Sequence, residues 1–185
     1  MKEKISGCRI YLQKPETTAD FAKKLFDIAD ANRETVLPWL DWALPEIIKT
    51  QEDELAFIQE ADKAWKTGKR YEYVIHAKSD NDILGIISLM NRDEAFEIAY
   101  WLKKDAQGNG YMQEAIKLIE ECLFANGVKK LIINADAENK QSNNVALKAG
   151  YRFEGLLKKS RYNMCLHQFR DMNLYSKIFA TKTIN

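Results

Sequence analysis

The sequence predicts an α+β layered fold, a mixed, mostly antiparallel sheet flanked by helices, and three observations carry that prediction. Apolar residues recur at a period of two in some segments and at spacings of three and four in others, the marks of strands and amphipathic helices. The elements run strand, two helices, three strands joined by polar turns, helix, strand, helix, two strands. The chain of 185 residues is 46% hydrophobic and 30% charged, with three prolines and eight glycines. That composition suits one packed domain, 1–185, at ~150 residues per domain.

Arg9 to Lys14 reads as a short strand that stops at Pro15. Thr17 or Thr18 can then cap a helix whose apolar positions are Phe21, Leu25, Ile28 and Ala29. Leu37-Pro38-Trp39-Leu40-Asp41-Trp42-Ala43-Leu44-Pro45 is held between prolines and suits a loop or broken helix. Thr50 opens a second helix with Asp53 three residues on, a capping box, and Leu55, Phe57, Ile58, Ala61 and Trp65 form its apolar set before Gly68 ends it. Tyr71 to Ala77 and Ile83 to Met90 read as a hairpin around Ser79-Asp80-Asn81-Asp82, and Ala95 to Leu102 makes a third antiparallel strand. Met112, Ala115, Ile116, Ile119, Cys122 and Leu123 mark a helix that leaves through Asn126-Gly127. Leu131 to Ala135 is a compact apolar strand, Asn143 to Ala149 a short helix closed by Gly150, and Tyr151 to Phe153 and Met172 to Ile178 complete the sheet.

Several function classes fall away on composition. A formal charge of +1 gives no basic excess for phosphate neutralisation, so no nucleic-acid partner is expected. Apolar runs such as Leu84 to Met90 are far shorter than the ~20 residues that cross a bilayer. Met1 to Arg9 has no apolar core of a secretory signal, so a cytoplasmic location and no membrane partner are expected. Cys8, Cys122 and Cys165 are widely spaced, and His76 and His167 have no ligand partners at metal-binding spacing, so no metal and no disulfide framework is expected. Charge is uneven along the chain: Glu16 to Asp62 carries 12 acidic against four basic residues, and Leu156 to Asn185 six basic against Asp171 alone. If the acidic stretch borders a binding site, it favours a cationic partner.

The segment that carries chemistry is Gln107-Gly108-Asn109-Gly110-Tyr111-Met112, between a strand and a helix. Glycines at 108 and 110 let main chain approach a ligand, and the exposed N–H groups of a helix start bind phosphate without a cationic side chain. It is no P-loop, because no Gly-Lys-Ser/Thr follows, and it lacks the third glycine and acidic partner of a dinucleotide fold.

Four segments together, Glu97-Ile98-Ala99-Tyr100-Trp101-Leu102, Gln107 to Met112, Asn139-Lys140-Gln141-Ser142, and Lys148-Ala149-Gly150-Tyr151-Arg152-Phe153-Glu154-Gly155, resemble the GNAT N-acetyltransferases, specifically their RimJ/RimL branch. Gln107, Gly110 and Met112 stand at that superfamily's acyl-CoA motif, with Met in the last place instead of a small residue. The Trp39 and Trp42 segment and Asp171, Tyr175 and Ser176 look like further features of the branch.

The resemblance implies transfer from acetyl-CoA to a primary amine by direct attack, with the acetyl-CoA cradled by Gln107, Gly108, Asn109, Gly110, Tyr111, Met112 and Asn139 and by the backbone of Tyr100, Trp101 and Leu102. The attacking amine must lose a proton, since an α-amino group titrates near ~8 and a lysine near ~10.4, the oxyanion needs an N–H donor, and the departing thiolate needs a hydrogen bond. The resemblance, through the branch's Asn-x-x-Ser arrangement at Asn139 and Ser142, implies Ser142 for the thiolate, although a serine at a helix start can equally be a cap. Glu97, on the central strand just before the site, is the favoured base; the alternatives are a water relay or a different substrate, and a carboxylate there can equally be a solvated strand residue. The carboxylate that the branch places after Glu154-Gly155 is replaced here by Arg161, and Ala146 stands where polyamine acetyltransferases have a tyrosine. Trp39 and Trp42 either wall the acceptor site or pin helices to the sheet, and Tyr175 is expected to orient the amine. The resulting expectation is an acetyl-CoA-dependent N-acetyltransferase, monomer or homodimer, whose acceptor is a protein N-terminal amine of the ribosomal-protein type. The alternatives are a small-molecule amine or antibiotic acetyltransferase and a non-catalytic acyl-CoA-binding module.

Overall fold

The computed structural model describes residues 1–36, 38–41 and 47–179. Trp42 lies outside them, so its expected place beside the acceptor receives no structural account. Strands β1 (Lys4–Ser6) and β2 (Ile10–Gln13) are followed by helices α1 (Ala19–Ala31), α2 (Arg33–Val36) and α3 (Gln51–Lys66). Then come β3 (Arg70–Ala77), β4 (Ile83–Asn91), β5 (Phe96–Leu102), α4 (Tyr111–Ala125), β6 (Lys130–Asp136), α5 (Lys140–Lys148), β7 (Arg152–Asn163) and β8 (Gln168–Ile178).

The eight strands form one sheet in the order β1-β2-β3-β4-β5-β6-β8-β7. Every pairing is antiparallel except β5 with β6, which is parallel and holds at only two positions, Phe96 opposite Leu131 and Glu97 opposite Ile132. Beyond Glu97 the two strands part, and each is still held by its other neighbour, β4 and β8 respectively. A V opens in the middle of the sheet.

Alternation assigns the two faces. Val74, Ile86 and Trp101 are cross-strand partners and pack with Ala22, Leu25 and Ala29 of α1 and Ile58 of α3. Tyr73, Ile87 and Ile98 point the other way and pack with Met112, Ala115, Ile116 and Ile119 of α4. Thr18 caps α1, and Thr50 with Asp53 forms the expected capping box on α3. Gly85 permits close contact between β4 and β5, since a Cβ there would meet the Trp101 carbonyl oxygen at 2.1 Å.

The sheet is larger than the sequence predicts. β1 is an added edge strand, and β7 with β8 makes a hairpin of 12- and 11-residue strands where two short strands are expected. The register shifts between Leu157 and Arg161, with Lys159 at φ +48°, bend that hairpin, and its tip reaches the 38–41 segment. There Asn163 Nδ2 donates to the Pro38 carbonyl at 2.9 Å and the Met164 N–H donates to Asp41 Oδ1 at 3.2 Å.

Candidate active site

A cleft of about 690 Å³ runs from the turn before α4, through the V between β5 and β6, to the sheet face beneath α1 and α3. Its first part is the glycine turn. Gly110 is the N-cap of α4 at φ +77°, and no side chain caps this helix. The amides of its first turn therefore keep their donors for a ligand. Gly108 has φ +78°, and a Cβ there would meet nothing within 4 Å, so the main chain at this point faces open space. Gln107 Nε2 donates to the Leu102 carbonyl at 3.0 Å, and Asn109 Nδ2 donates to the carbonyls of Asp105 and Gln107. Both side chains brace the turn. Arg9 was not anticipated here: it donates to the Asn109 carbonyl at 2.9 Å, pairs with Glu114 at 2.9 Å and lies over the Tyr111 ring. The Met112 side chain is buried in the core below, so this residue offers the cleft its amide.

In the V, Trp101 turns into the core under α1 and Leu102 into the core under α4, leaving the β5 main chain to the cleft. Tyr100 reaches α5. Its hydroxyl donates to the Ser142 carbonyl at 3.2 Å and lies 3.1 Å from Ser142 Oγ. Burial raises the Tyr100 phenol to about 12, so it keeps its proton. The capping question at α5 is settled by geometry: the cap is Asn139, whose Oδ1 accepts from the Ser142 N–H at 3.0 Å. Ser142 is thereby free of that task and lines the cleft.

Glu97 also lines the cleft, but its carboxylate is engaged on both oxygens. Arg92 Nε donates to Oε2 at 2.8 Å and Asn134 Nδ2 to Oε1 at 3.0 Å. Trp39 lines the cleft at the end away from the glycine turn, where Arg161 from β7 sits 3.8 Å from Asp41. The charge of Arg161, in the place where an acid is expected, is thus answered from the 38–41 segment. Tyr175 does not line the cleft. It is 3% exposed, and its hydroxyl donates to Asn143 Oδ1 at 2.7 Å on the α5 side of the sheet, because β8 lies beyond β6. The acidic stretch from Glu16 to Asp62 does not border the cleft as a block either. Of the described acidic residues in that stretch only Glu54 lines it, while others lie on the polar faces of α1 and α3, as Asp27 does with Lys23 and Asp62 with Lys14 and Lys66.

Sequence reasoning missed four polar residues lining the cleft on the sheet face beneath α1 and α3: Glu54 on α3, Arg70 and Glu72 on β3, and Ser88 on β4. Glu72 is 3% exposed and accepts from the Ser88 hydroxyl, with Arg70 Nε at 3.5 Å. Among the described residues neither Nε nor Nη2 of Arg70 has a hydrogen-bond partner, though both atoms are buried. Burial raises the Glu72 carboxyl, and burial followed by the charge of Glu72 raises Glu54 to about 7. The available signal was position: Glu54 continues the buried stripe of Ile58 and Ala61, and Glu72 shares its strand face with Val74.

An uncapped glycine turn beside two splayed parallel strands is the machinery of a protein that holds an acyl-CoA by its main chain, and the open space at Gly108 and the positive φ of Gly110 fit that ligand. Residues 9–152 match the family described as acetyltransferase (GNAT) domain, and the chain belongs to that family. It is an acetyltransferase, and its acetyl donor is acetyl-CoA. Among proteins of known activity it is similar to the ribosomal-protein-serine acetyltransferase of Escherichia coli (strain K12), 29% identical over 165 residues, 86% of this chain and 88% of that one. Among solved structures it is similar to the microcin C7 self immunity acetyltransferase MccE in complex with acetyl-CoA and AMP, 26% identical, with a TM-score of 0.83 over 92% of this chain and 93% of that one. The fold is shared with the RimL ribosomal L7/L12 α-N-protein acetyltransferase in complex with coenzyme A, 23% identical, with a TM-score of 0.87 over 96% of this chain and 98% of that one. Among the described residues no group of His, Cys, Asp and Glu could hold a metal ion, and no helix is long and apolar enough to cross a membrane.

Proposed function

We propose that this chain acts as one acetyltransferase domain, 1–185, that moves the acetyl group of acetyl-CoA to the N-terminal amine of a protein, of the ribosomal-protein kind. The observation that carries this reading is the continuity of the cleft, which joins the acyl-CoA turn at Gly108 and Gly110 to an acceptor half containing both buried carboxyls and Arg70 donors that make no hydrogen bond among the described residues. A peptide N-terminus offers a cation and, next to it, backbone carbonyls, which is the chemistry those two kinds of group receive. The likeness to the Escherichia coli enzyme over most of both chains supports the same acceptor class.

In this reading the first-turn amides of α4, with the helix dipole behind them, receive the pyrophosphate. The β5 main chain at Tyr100, Trp101 and Leu102, released from β6 by the V, bonds the pantetheine arm and supplies N–H groups to the oxyanion. Bound acetyl-CoA supplies an activated thioester carbonyl. Tyr100, whose proton goes to the Ser142 carbonyl, lies 3.1 Å from Ser142 Oγ and so positions the hydroxyl that faces the departing sulfur. Asn139 contributes by fixing the start of α5 and hence the position of Ser142. Trp39 walls the acceptor end, and Tyr175 acts at one remove by bonding Asn143 in α5.

A small-molecule acceptor is the second reading, favoured by the likeness to the microcin C7 immunity acetyltransferase. The test is release of free CoA thiol from acetyl-CoA in the presence of N-terminal peptides, polyamines or aminoglycosides. Release with peptides supports the proposal, release only with small amines supports the second reading, and CoA binding without release under any condition leaves a non-catalytic binding module.

A further inference from the structure

The acceptor half of the cleft holds a buried carboxyl with no hydrogen bond among the described residues. Glu54 is 2% exposed and lines the cleft, yet its carboxyl makes no hydrogen bond among the described residues. A buried acid without a partner costs stability and is kept only where a ligand or a proton completes it. Glu72 lies close enough for its charge to act on Glu54, and it accepts from Ser88. The strand registers extend this contact: Glu72 is opposite Ser88, and Ser88 is opposite Ala99 of β5. Directly opposed residues share a face at ~4.8 Å per strand, so Glu72, Ser88 and Ala99 form one row across the sheet that ends at the strand bordering the V. Glu97, by contrast, has Arg92 on one oxygen and Asn134 on the other, which leaves it poorly placed to accept a proton.

We propose that the Glu54–Glu72 pair is the base of the acetyl transfer, Glu54 taking up, where it lines the cleft, the proton that the acceptor's ammonium group must lose before it attacks. One N–H bond of the ammonium breaks, one carboxyl O–H bond forms, and the nitrogen keeps the electron pair that attacks the thioester. The inference rests on the acetyl-transfer reading and adds the residues that activate the acceptor. An α-ammonium of pKa ~8 gives its proton to a carboxyl near 7 with little penalty, whereas an ordinary carboxylate is a far weaker acceptor. The charged groups that bear on Glu54 are Arg33 from α2, which lowers it, and Glu72 from β3, which raises it, with Arg70, Arg92, Glu97 and Arg161 lining the same cleft.

The experiment is a pH profile of kcat/KM with acetyl-CoA and a peptide bearing a free N-terminal serine, for the wild-type protein and for Glu54→Gln and Glu72→Gln. It is run beside a titration of the carboxyls by NMR in protein labelled with ¹³C at the glutamate side-chain carboxyl and loaded with CoA. The inference predicts an acid limb near pH 7 in the wild type. Glu54→Gln should remove that limb and lower kcat/KM on the order of 10²-fold or more, with CoA affinity unchanged. Glu72→Gln should move the limb, and the Glu54 resonance, to lower pH, because it removes the negative charge that raises Glu54. Glutamine matches the shape of a protonated glutamate, so loss of fold is not expected, and CoA affinity checks this directly. Wild-type activity and an intact acid limb in Glu54→Gln would overturn the inference. If no amine accepts acetyl from the wild type, the acceptor reading falls and the NMR arm decides this one. A Glu54 carboxyl that titrates near 7 and responds to Glu72→Gln supports the pair, and one that titrates as an ordinary carboxyl, or ignores Glu72→Gln, refutes it.

Discussion

Glu54 makes a prediction that does not depend on catalysis. Its folded pKa, about 7, lies above the ordinary 4.5, so it favours the folded state below the unfolded value and loses that contribution as pH rises through about 7. Ionising a carboxyl moved that far costs on the order of 3 kcal/mol. Glu54→Gln should therefore match the wild type near pH 5 and exceed it by up to that amount above pH 8, as read by denaturant unfolding at both pH values; equal differences at both would contradict the assignment. A second prediction concerns Ser142. Ser142→Ala should lower kcat by roughly 10- to 100-fold while leaving CoA affinity nearly intact, because Asn139 and not Ser142 caps α5. Stopped-flow or steady-state kinetics beside calorimetry of CoA binding makes the split. Ser142 was legible in the sequence because it stands in a motif, three residues after Asn139. Glu54 was harder to read, for a physical reason: it sits with Glu52 and Asp53 in the first turn of α3, where acids favour the helix dipole, and its spacing to Ile58 and Ala61 was the one signal that it points inward.

The elements that build the cradle were readable because local chemistry fixes them. The strand from Ala95 to Leu102, the glycine turn and the helix after it sit within a residue or so of their predicted places, since Gly108 and Gly110 demand positive φ and the α4 stripe demands one buried face. The β7–β8 hairpin was under-read because its pattern carries no periodicity: Lys158, Lys159, Ser160 and Arg161 are all exposed, and the strand exists through pairing with β8. At this scale Gly110→Asp should abolish CoA binding while the protein stays folded, since it sets a carboxylate at the helix start and a side chain at φ +77°. Isothermal calorimetry with CoA checks it, and retained affinity would argue against the pyrophosphate assignment. Gly85→Ala should instead destabilise the fold on the order of 2–3 kcal/mol, because the added Cβ meets the Trp101 carbonyl oxygen. A lowered midpoint in urea unfolding is the readout.

For the whole molecule, the sequence predicts the layering and the donor, because both follow from patterns within single segments. The V is a property of the assembled sheet: it arises where β5 and β6 keep two paired positions and then answer to different neighbours, and no local pattern announces it. The half of the cleft proposed to take the acceptor is likewise assembled from α3, β3, β4, β5 and β7, with the 38–41 segment clasped by the hairpin tip. Ligand linkage gives a global test of the donor side. CoA at 100 times its dissociation constant should add ~2.7 kcal/mol, or roughly 5–10 °C in Tm for a chain of this size, and Gly110→Asp should show no such rise. The central claim, that the cleft carries acetyl from CoA to a peptide N-terminus, is tested most directly by mass spectrometric location of the acetyl group after incubating the protein with acetyl-CoA and a peptide that contains both a free α-amine and a lysine. The account predicts acetyl on the α-amine, and its absence when that amine is blocked. Acetyl on the lysine alone, or bound CoA with no transfer to any amine, would contradict it.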